Sequence, residues 1–364
     1  MRNFWCEIDL DQLDKNIANV RGNTDKELMV VIKSNAYGVG IENLTSYLDD
    51  KVECFGVASM EEALRVRSSK DILLLYPELS DKDIESVRDN FVLTVDNKEI
   101  LDRLKATGRS YRVHIYVDTG MNRFGIKPDK LKELYELIEK GYPEIKVEGI
   151  FTHLHNTKNQ EYTEKQIRLF EECAGEFKDK VRYIHMLNSD GFLKYNSRCT
   201  LDNLVRLGNI IYGYDAVQYG YKRIFSYKAK PIRAYTVDKG EYIGYGCLFR
   251  TRKPTRVAIL DVGFGDHFNF SQIRKTGFLR DIAKTAYRYF RYYSGIYYKG
   301  RTMRIIGVPN MNFTLIDLED VGADETFTIE MTTFLADSSI PITWKRGEEY
   351  VQLKRNRQEN SGQL

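Results

Sequence analysis

Short apolar runs in this chain end in side chains able to do chemistry. Lys33 follows VVI. Asp118 closes YRVHIYV, and Arg123 follows shortly after it. His153 comes after GIFT, Asn188 and Ser189 come after YIHML, and Arg206 and Gly208 sit within LVRLG. A lysine amine attacks carbonyl carbons. Histidines and carboxylates exchange protons with reacting groups. Arginine offers a permanent charge and a planar fork to carboxylates and phosphates. Glycine lets the backbone approach an anion closely. Each residue alone also has a plain structural role. Lys33 reads as a solvated loop charge, His153 as a hydrogen-bonded structural residue, and Arg206 as half of an ion pair. Their recurrence at the ends of successive runs marks them as a set.

The runs themselves form a pattern. LMVVIK (28–33), CFGVAS (54–59), DILLLY (71–76), FVLTVD (91–96), YRVHIYVD (111–118), VEGIFTHL (147–154), YIHMLN (183–188) and LVRL (204–207) read as strands. Between them, stretches such as 60–67, 128–141 and 163–177 carry helical periodicity. Eight such repeats predict a parallel (β/α)8 TIM barrel, with an open doubly wound sheet as the alternative. In a barrel the active site lies at the C-terminal ends of the strands, where these polar groups fall, and phosphate commonly binds after strands 7 and 8, near Ser189 and Gly208. A lysine facing a phosphate site suits a pyridoxal phosphate (PLP) Schiff base. Spacing alone leaves that choice open.

Beyond residue 220 the runs IRAYTVD, TRVAILDVG, MRIIGV, FTLIDL, TFTIEM and YVQLKR are β-type without long helices between them. They predict a mostly antiparallel β-domain. FWCEIDL (4–10) fits a strand of either domain. The expected division is a barrel over 9–222, a β-domain from 1–8 plus 223–354, and a polar, disordered tail over 355–364. The basic, tyrosine-rich stretch 272–293 is expected to be a helix burying Phe278, Ile282, Ala286 and Phe290. Composition narrows the function. The chain has 364 residues and 55 Lys+Arg against 52 Asp+Glu, a net charge of +3 that makes no case for nucleic acid. Five scattered cysteines suggest neither a disulfide framework nor a zinc site. No run is long enough to span a membrane, and the first residues are acidic where a secretory signal is apolar. A cytoplasmic protein without a metal, a membrane or nucleic acid among its partners is expected.

The motifs resemble those of the alanine racemase family, PLP enzymes of fold type III. VVIKSNAYGVG (30–40) is similar to the family's cofactor-lysine motif. VDTGMNRFGI (117–126), GIFTHLHNT (149–157), HMLNSDG (185–191), VRLGNIIYG (205–213), IGYGCLF (243–249) and GFGDHF (263–268) follow in the family's order. The opening WCEIDLDQLDKNI is also similar. The resemblance implies a PLP-dependent amino-acid racemase, first of alanine. Lys33 would bind PLP and serve as one base, and Tyr245, from the partner subunit of a homodimer with shared sites, as the other. Tyr37, Ser189, Gly208 and Asn209 would hold the phosphate, with Leu75 and Asn188 in the cofactor pocket. Arg206 would bond the pyridine nitrogen, and His153 would link Arg206 to Tyr245. Arg123 would contact the cofactor and the substrate carboxylate, and Met311 and Asn312 the substrate.

The sequence also departs from the family's pattern. Tyr116 stands where the family commonly has a lysine, often carbamylated. Asn312 replaces an aspartate, Phe264 a tyrosine, Val308 or Pro309 an arginine, and Ser338 aligns with a second tyrosine. Because these changes cluster around the expected entrance and carboxylate pocket, serine or a larger amino acid is the second substrate reading. Two further readings stand beside it: a related fold-type-III decarboxylase, and a PLP-binding homologue without turnover.

Overall fold

The computed structural model describes residues 2–214, 216–270, 277–290, 294–334 and 336–353, with backbone only at 284 and 287–290. Contacts divide the chain into two units, Met1–Asp11 with Ile224–Gln352, and Gln12–Arg223. Strand β1 (Phe4–Asp9) belongs to the first of these.

The unit Gln12–Arg223 is a barrel. Strands β2 (Glu27–Val31), β3 (Cys54–Val57), β4 (Asp71–Leu74), β5 (Phe91–Val95), β6 (Tyr111–Tyr116), β7 (Ile145–Phe151), β8 (Tyr183–His185) and β9 (Leu204–Leu207) form one parallel sheet in the order β8-β7-β6-β5-β4-β3-β2-β9. All eight expected strands are present. The two ends of this order also meet: Asn203 N–H donates to Ile184 O and Arg206 N–H to Leu187 O. The strands are buried along almost their whole length. That is why they read as continuous apolar runs and not as alternating ones. Met29, Cys54, Leu73, Val92, Tyr183 and Leu204, from six strands, pack as one cluster. Near the strands' N-terminal ends, Arg112 bonds Asp71 through both carboxylate oxygens (2.7 and 2.6 Å) and Glu148 (2.8 Å).

Polar caps start five of the helices that follow the strands. Ser59, Ser80, Asn97, Asn159 and Asn188 each accept a first-turn backbone N–H. These caps lie just past the ends of β3, β4, β5, β7 and β8 or their loops; the helices after β2 and β6 start without a side-chain cap.

The other unit is mostly antiparallel. Its large sheet contains β10 (Phe225–Ala229), β15 (Ile296–Tyr298), β16 (Arg301–Thr302), β18 (Phe327–Ile329), β19 (Ile342–Arg346) and β20 (Glu349–Val351) together with β1, in the order β16-β15-β18-β10-β1-β19-β20. Only β1 and β19 run parallel. β11 (Pro231–Val237), β14 (Thr255–Leu260) and β17 (Thr314–Asp317) form a second sheet, and β12 (Tyr242–Ile243) pairs β13 (Phe249–Arg250). The run MRIIGV does not become a strand; only Ile305 bridges, to Ile316. The run's backbone bonds divide between two neighbours, Met303 N–H to Ile296 O on one side and Ile306 N–H to Leu315 O on the other, so no continuous ladder forms along it.

The expected helix is present at Phe278–Phe290, but the expected burial is not. Phe278 and Ile282 are 78% and 51% exposed, and Ala286 is exposed too. Periodicity creates an apolar face; it does not supply an element to cover it. The side chain of Phe290, the segments 272–276 and 291–293, and the tail 355–364 lie outside the described residues. No described helix is long and apolar enough to cross a membrane.

Candidate active site

The loops leaving the barrel strands enclose one cavity. Its lining contains Lys33, Tyr37, Leu75, Arg123, His153, Asn188, Ser189, Arg206, Gly208 and Asn209. The barrel residues that the resemblance assigns to the site are brought to one place, whereas Asp118 is not in the lining. Tyr245, Met311 and Asn312 belong to the other unit, where all three are exposed.

Lys33 leads into an unusual turn. Ser34, Asn35, Ala36 and Tyr37 all have φ between 54° and 56°, a left-handed turn without a glycine. Such backbone costs roughly 1–2 kcal/mol per residue, so tertiary bonds must hold it. Arg65 Nη2 donates to Asn35 Oδ1 (2.7 Å), and Asn35 Oδ1 also accepts from Ile41 N–H. Glu62 accepts from the backbone N–H groups of Asn35 and Ala58. The half-buried Lys33 side chain makes no ion pair with any described residue, which leaves its amine available to a ligand.

The turn delivers Tyr37 to the far side of the cavity. Its ring stacks on Tyr212 (centroids 4.6 Å apart), whose hydroxyl donates to Val31 O. Gly208 sits against that ring: a Cβ there would lie 2.3 Å from Tyr37 Oη. Gly208 N–H donates to Ser189 Oγ (3.1 Å). Asn188 is fixed by its capping bond to Gly191 N–H (2.8 Å). Together these groups make a polar corner with hydroxyl and backbone N–H donors.

Asp118 shapes the loop that carries Arg123. Its Oδ1 accepts from Gly120 and Asn122 N–H, and its Oδ2 pairs with Lys127 at 2.6 Å. Burial pushes the carboxyl pKa up, but Lys127 and the two N–H groups outweigh it and hold it below its ordinary value. Arg123 lies over the rings of Tyr76 (5.2 Å) and Phe124 (5.8 Å).

Arg206 is buried, and its hydrogen bonds define its orientation. It donates to His185 Nδ1 (2.7 Å), His185 O (3.0 Å) and Thr152 O (2.7 Å). His153 is not among these partners. An arginine has no acceptor, so His185 Nδ1 accepts and its proton sits on Nε2. That proton is donated to His114 Nδ1, 2.9 Å away. His114 has room only because residue 149 is glycine, where a Cβ would lie 2.8 Å from Nε2. The His185 ring stacks on Phe151 (2° between planes), and Phe151 on Tyr116 (9°). Burial lowers the Arg206 pKa to about 10, opposed by Asp202.

The sequence does not single out His114 and His185. They lie inside strands among apolar residues, and their only signal is a polar residue in an otherwise apolar run. Burial lowers the pKa of His114 to about 3 and holds that of His185 well below its ordinary value. His153 is also lowered to about 3, by burial and then by Arg206, Arg123 and Lys33. All three are neutral at pH 7.

This has a measurable consequence for His114 and His185. Their folded pKa values lie below the unfolded value of ~6.5, so below that pH the unfolded chain binds more protons. Stability is intact above pH 6.5 and falls as pH drops toward 3, by up to about 1.4 kcal/mol per pH unit per histidine. His114→Gln removes one of these groups. Urea unfolding at pH 7 and pH 5 should show a loss smaller by about 1–2 kcal/mol in the variant. Equal losses in the two proteins would show that His114 is not the titrating group.

Comparison with known proteins identifies this architecture. Residues 8–216 match the model of the alanine racemase N-terminal domain and 224–345 that of the C-terminal domain. The alanine racemase 2 of Clostridium acetobutylicum is 30% identical over 281 residues, 72% of this chain and 71% of that protein. The alanine racemase 1 of Oceanobacillus iheyensis is 29% identical over 355 residues, 92% of this chain and 89% of its own length. In fold, the alanine racemase of Clostridium difficile superposes with a TM-score of 0.81 at 23% identity, covering 97% of this chain and 98% of that one. The Bacillus anthracis enzyme gives 0.77 at 24%, covering 97% of each chain. The two family models and the relatives of about 30% identity, matched over most of the chain, make this protein an amino-acid racemase. More narrowly, the chain belongs to the alanine racemase family.

Proposed function

We propose that this enzyme interconverts L- and D-alanine with PLP held in the barrel cavity, as a cytoplasmic homodimer with shared sites. The observation that carries this reading is the convergence of Lys33, Arg123, Ser189, Arg206 and Gly208 on one cavity. The residues present fit the cofactor. Because Gly208 has no Cβ, the Tyr37 ring packs directly against its backbone, and this brings the Tyr37 hydroxyl beside the Ser189 hydroxyl and the Gly208 N–H, donors of the kind a phosphate needs. An amine without an ion pair lies in the same cavity.

Lys33 holds the cofactor, with Tyr37, Ser189, Gly208 and Asn209 at its phosphate and Leu75, His153 and Asn188 along its walls. When bound, PLP withdraws the electron pair left on the substrate Cα after its proton departs. Lys33 Nζ removes or returns that proton on one face. Tyr245 of the partner subunit does so on the other, with its Oη as the proton carrier. Two carriers on opposite faces are what inversion requires, since a single one returns the proton to the face it came from. Arg206 donates a hydrogen bond to the ring nitrogen and keeps its proton. His185 accepts from the guanidinium and so fixes its direction. Arg123 contacts the cofactor's phenolic oxygen and the substrate carboxylate, and Met311 and Asn312 border the substrate.

The test is a visible absorption spectrum of the purified protein, followed by chiral chromatography after incubation with L-alanine. A cofactor band together with D-alanine formation is the expected result. Tyr245→Phe should keep the band and lose roughly 10²- to 10⁴-fold in turnover, the usual contribution of one acid–base group. A protein that shows the band but inverts no amino acid would sink this reading. Inversion of serine or a larger amino acid in preference to alanine would correct its substrate.

A further inference from the structure

Three observations meet at one corner of the cavity. Arg123 has no ion pair with any described residue and lies over two aromatic rings. Its charge is therefore not cancelled by a carboxylate. Tyr116 lines the same cavity, is 1% exposed, and its buried hydroxyl has no hydrogen-bond partner. Native folds retain few such orphaned groups, and each calls for an explanation. The Tyr116 ring is also clamped. It stacks on Phe151 with centroids 4.6 Å apart, and Phe151 stacks in turn on His185. The hydroxyl is thus held still, while Arg123 rides on the loop after Asp118.

Arg123 is near enough to act on this hydroxyl electrostatically although it is outside hydrogen-bond geometry. Burial raises the phenol pKa, and the Arg123 charge and contact pull it back. The net shift is upward, so Tyr116 stays neutral.

We propose that Tyr116 is the positioning residue for Arg123: on substrate binding its fixed Oη accepts from the guanidinium and aims it at the substrate carboxylate. A neutral acceptor orients the fork without taking up its charge, whereas an acidic residue would do both. The full positive charge then faces the carboxylate. This inference rests on the racemase reading.

Tyr116→Phe tests it, since it keeps the aromatic stack and removes only the acceptor. The KM for alanine should rise about tenfold, the effect of one hydrogen bond to a charged group. kcat should change by less than about twofold, because the bond serves binding and not the reacting atoms. The alanine concentration that half-saturates the change in the cofactor's visible band should rise in parallel, which reads binding without turnover. The band itself and the melting temperature should be unchanged. In an Arg123→Lys background the same substitution should add less than about twofold, because the two side chains act as one unit. Additive effects, or a fall in kcat at constant KM, would overturn the proposal. A wild-type protein without a cofactor band would overturn the racemase reading and this inference with it. A normal wild type with an unaffected Tyr116→Phe variant would overturn this inference alone.

Discussion

Lys33→Ala is expected to abolish both racemisation and the visible band of the purified enzyme. On the proposed function, the variant loses the amine that would hold the cofactor and one of the two proton carriers. A single acid–base group contributes roughly 10²–10⁴-fold, so the combined loss should exceed about 10⁴-fold. The fold should be untouched. Lys33 makes no ion pair with any described residue, and the left-handed turn after it is held by Arg65, Asn35 and Glu62, not by the lysine side chain. Chiral chromatography, absorption and thermal unfolding of the variant check the three statements together. Retained inversion would refute the assignment of Lys33. A lost melting transition would mean that the lysine is structural.

Gly208→Val should produce the second large effect, in cofactor affinity. The first added carbon would stand 2.3 Å from Tyr37 Oη, 2.7 Å from Cζ and 3.0 Å from Cε2. The Tyr37 ring cannot easily yield, because it stacks on Tyr212, which is fully buried and tied to Val31 O. Overpacking of this kind costs roughly 1–3 kcal/mol, which corresponds to about 10- to 100-fold if it falls on the phosphate corner. PLP titration of the cofactor-stripped proteins, followed by absorption, measures it. The melting temperature separates a local defect from a global one. Affinity within twofold of wild type would show that the cofactor does not approach this backbone, since a difference that small is about 0.4 kcal/mol.

These two residues differ in how visible they are in the sequence. Lys33 announces itself as a charged residue at the end of an apolar run within a specific motif. Gly208 is one of 26 glycines. Its motif marks it, but the reason for a glycine there appears only when Tyr37, 171 positions earlier, is placed against it. Arg206 lies between these cases. Its position in the strand run is legible, whereas its bond to His185, and that of His185 to His114, join three strands. Nothing local in YRVHIYVD or YIHMLN says that the two histidines face each other.

The eight barrel strands, the order of the motifs and the family are all legible in the linear chain. Buried parallel strands must be apolar along their length, and chemistry must sit where they end, so both features are written locally. Three-dimensional packing set the left-handed turn at Ser34–Tyr37, the Arg206–His185–His114 chain and the sheet that places β1 between β10 and β19. It also left Phe278 and Ile282 exposed although their spacing is that of a buried face. Each of these depends on what stands opposite a residue, and distant segments of the chain supply that opposite surface.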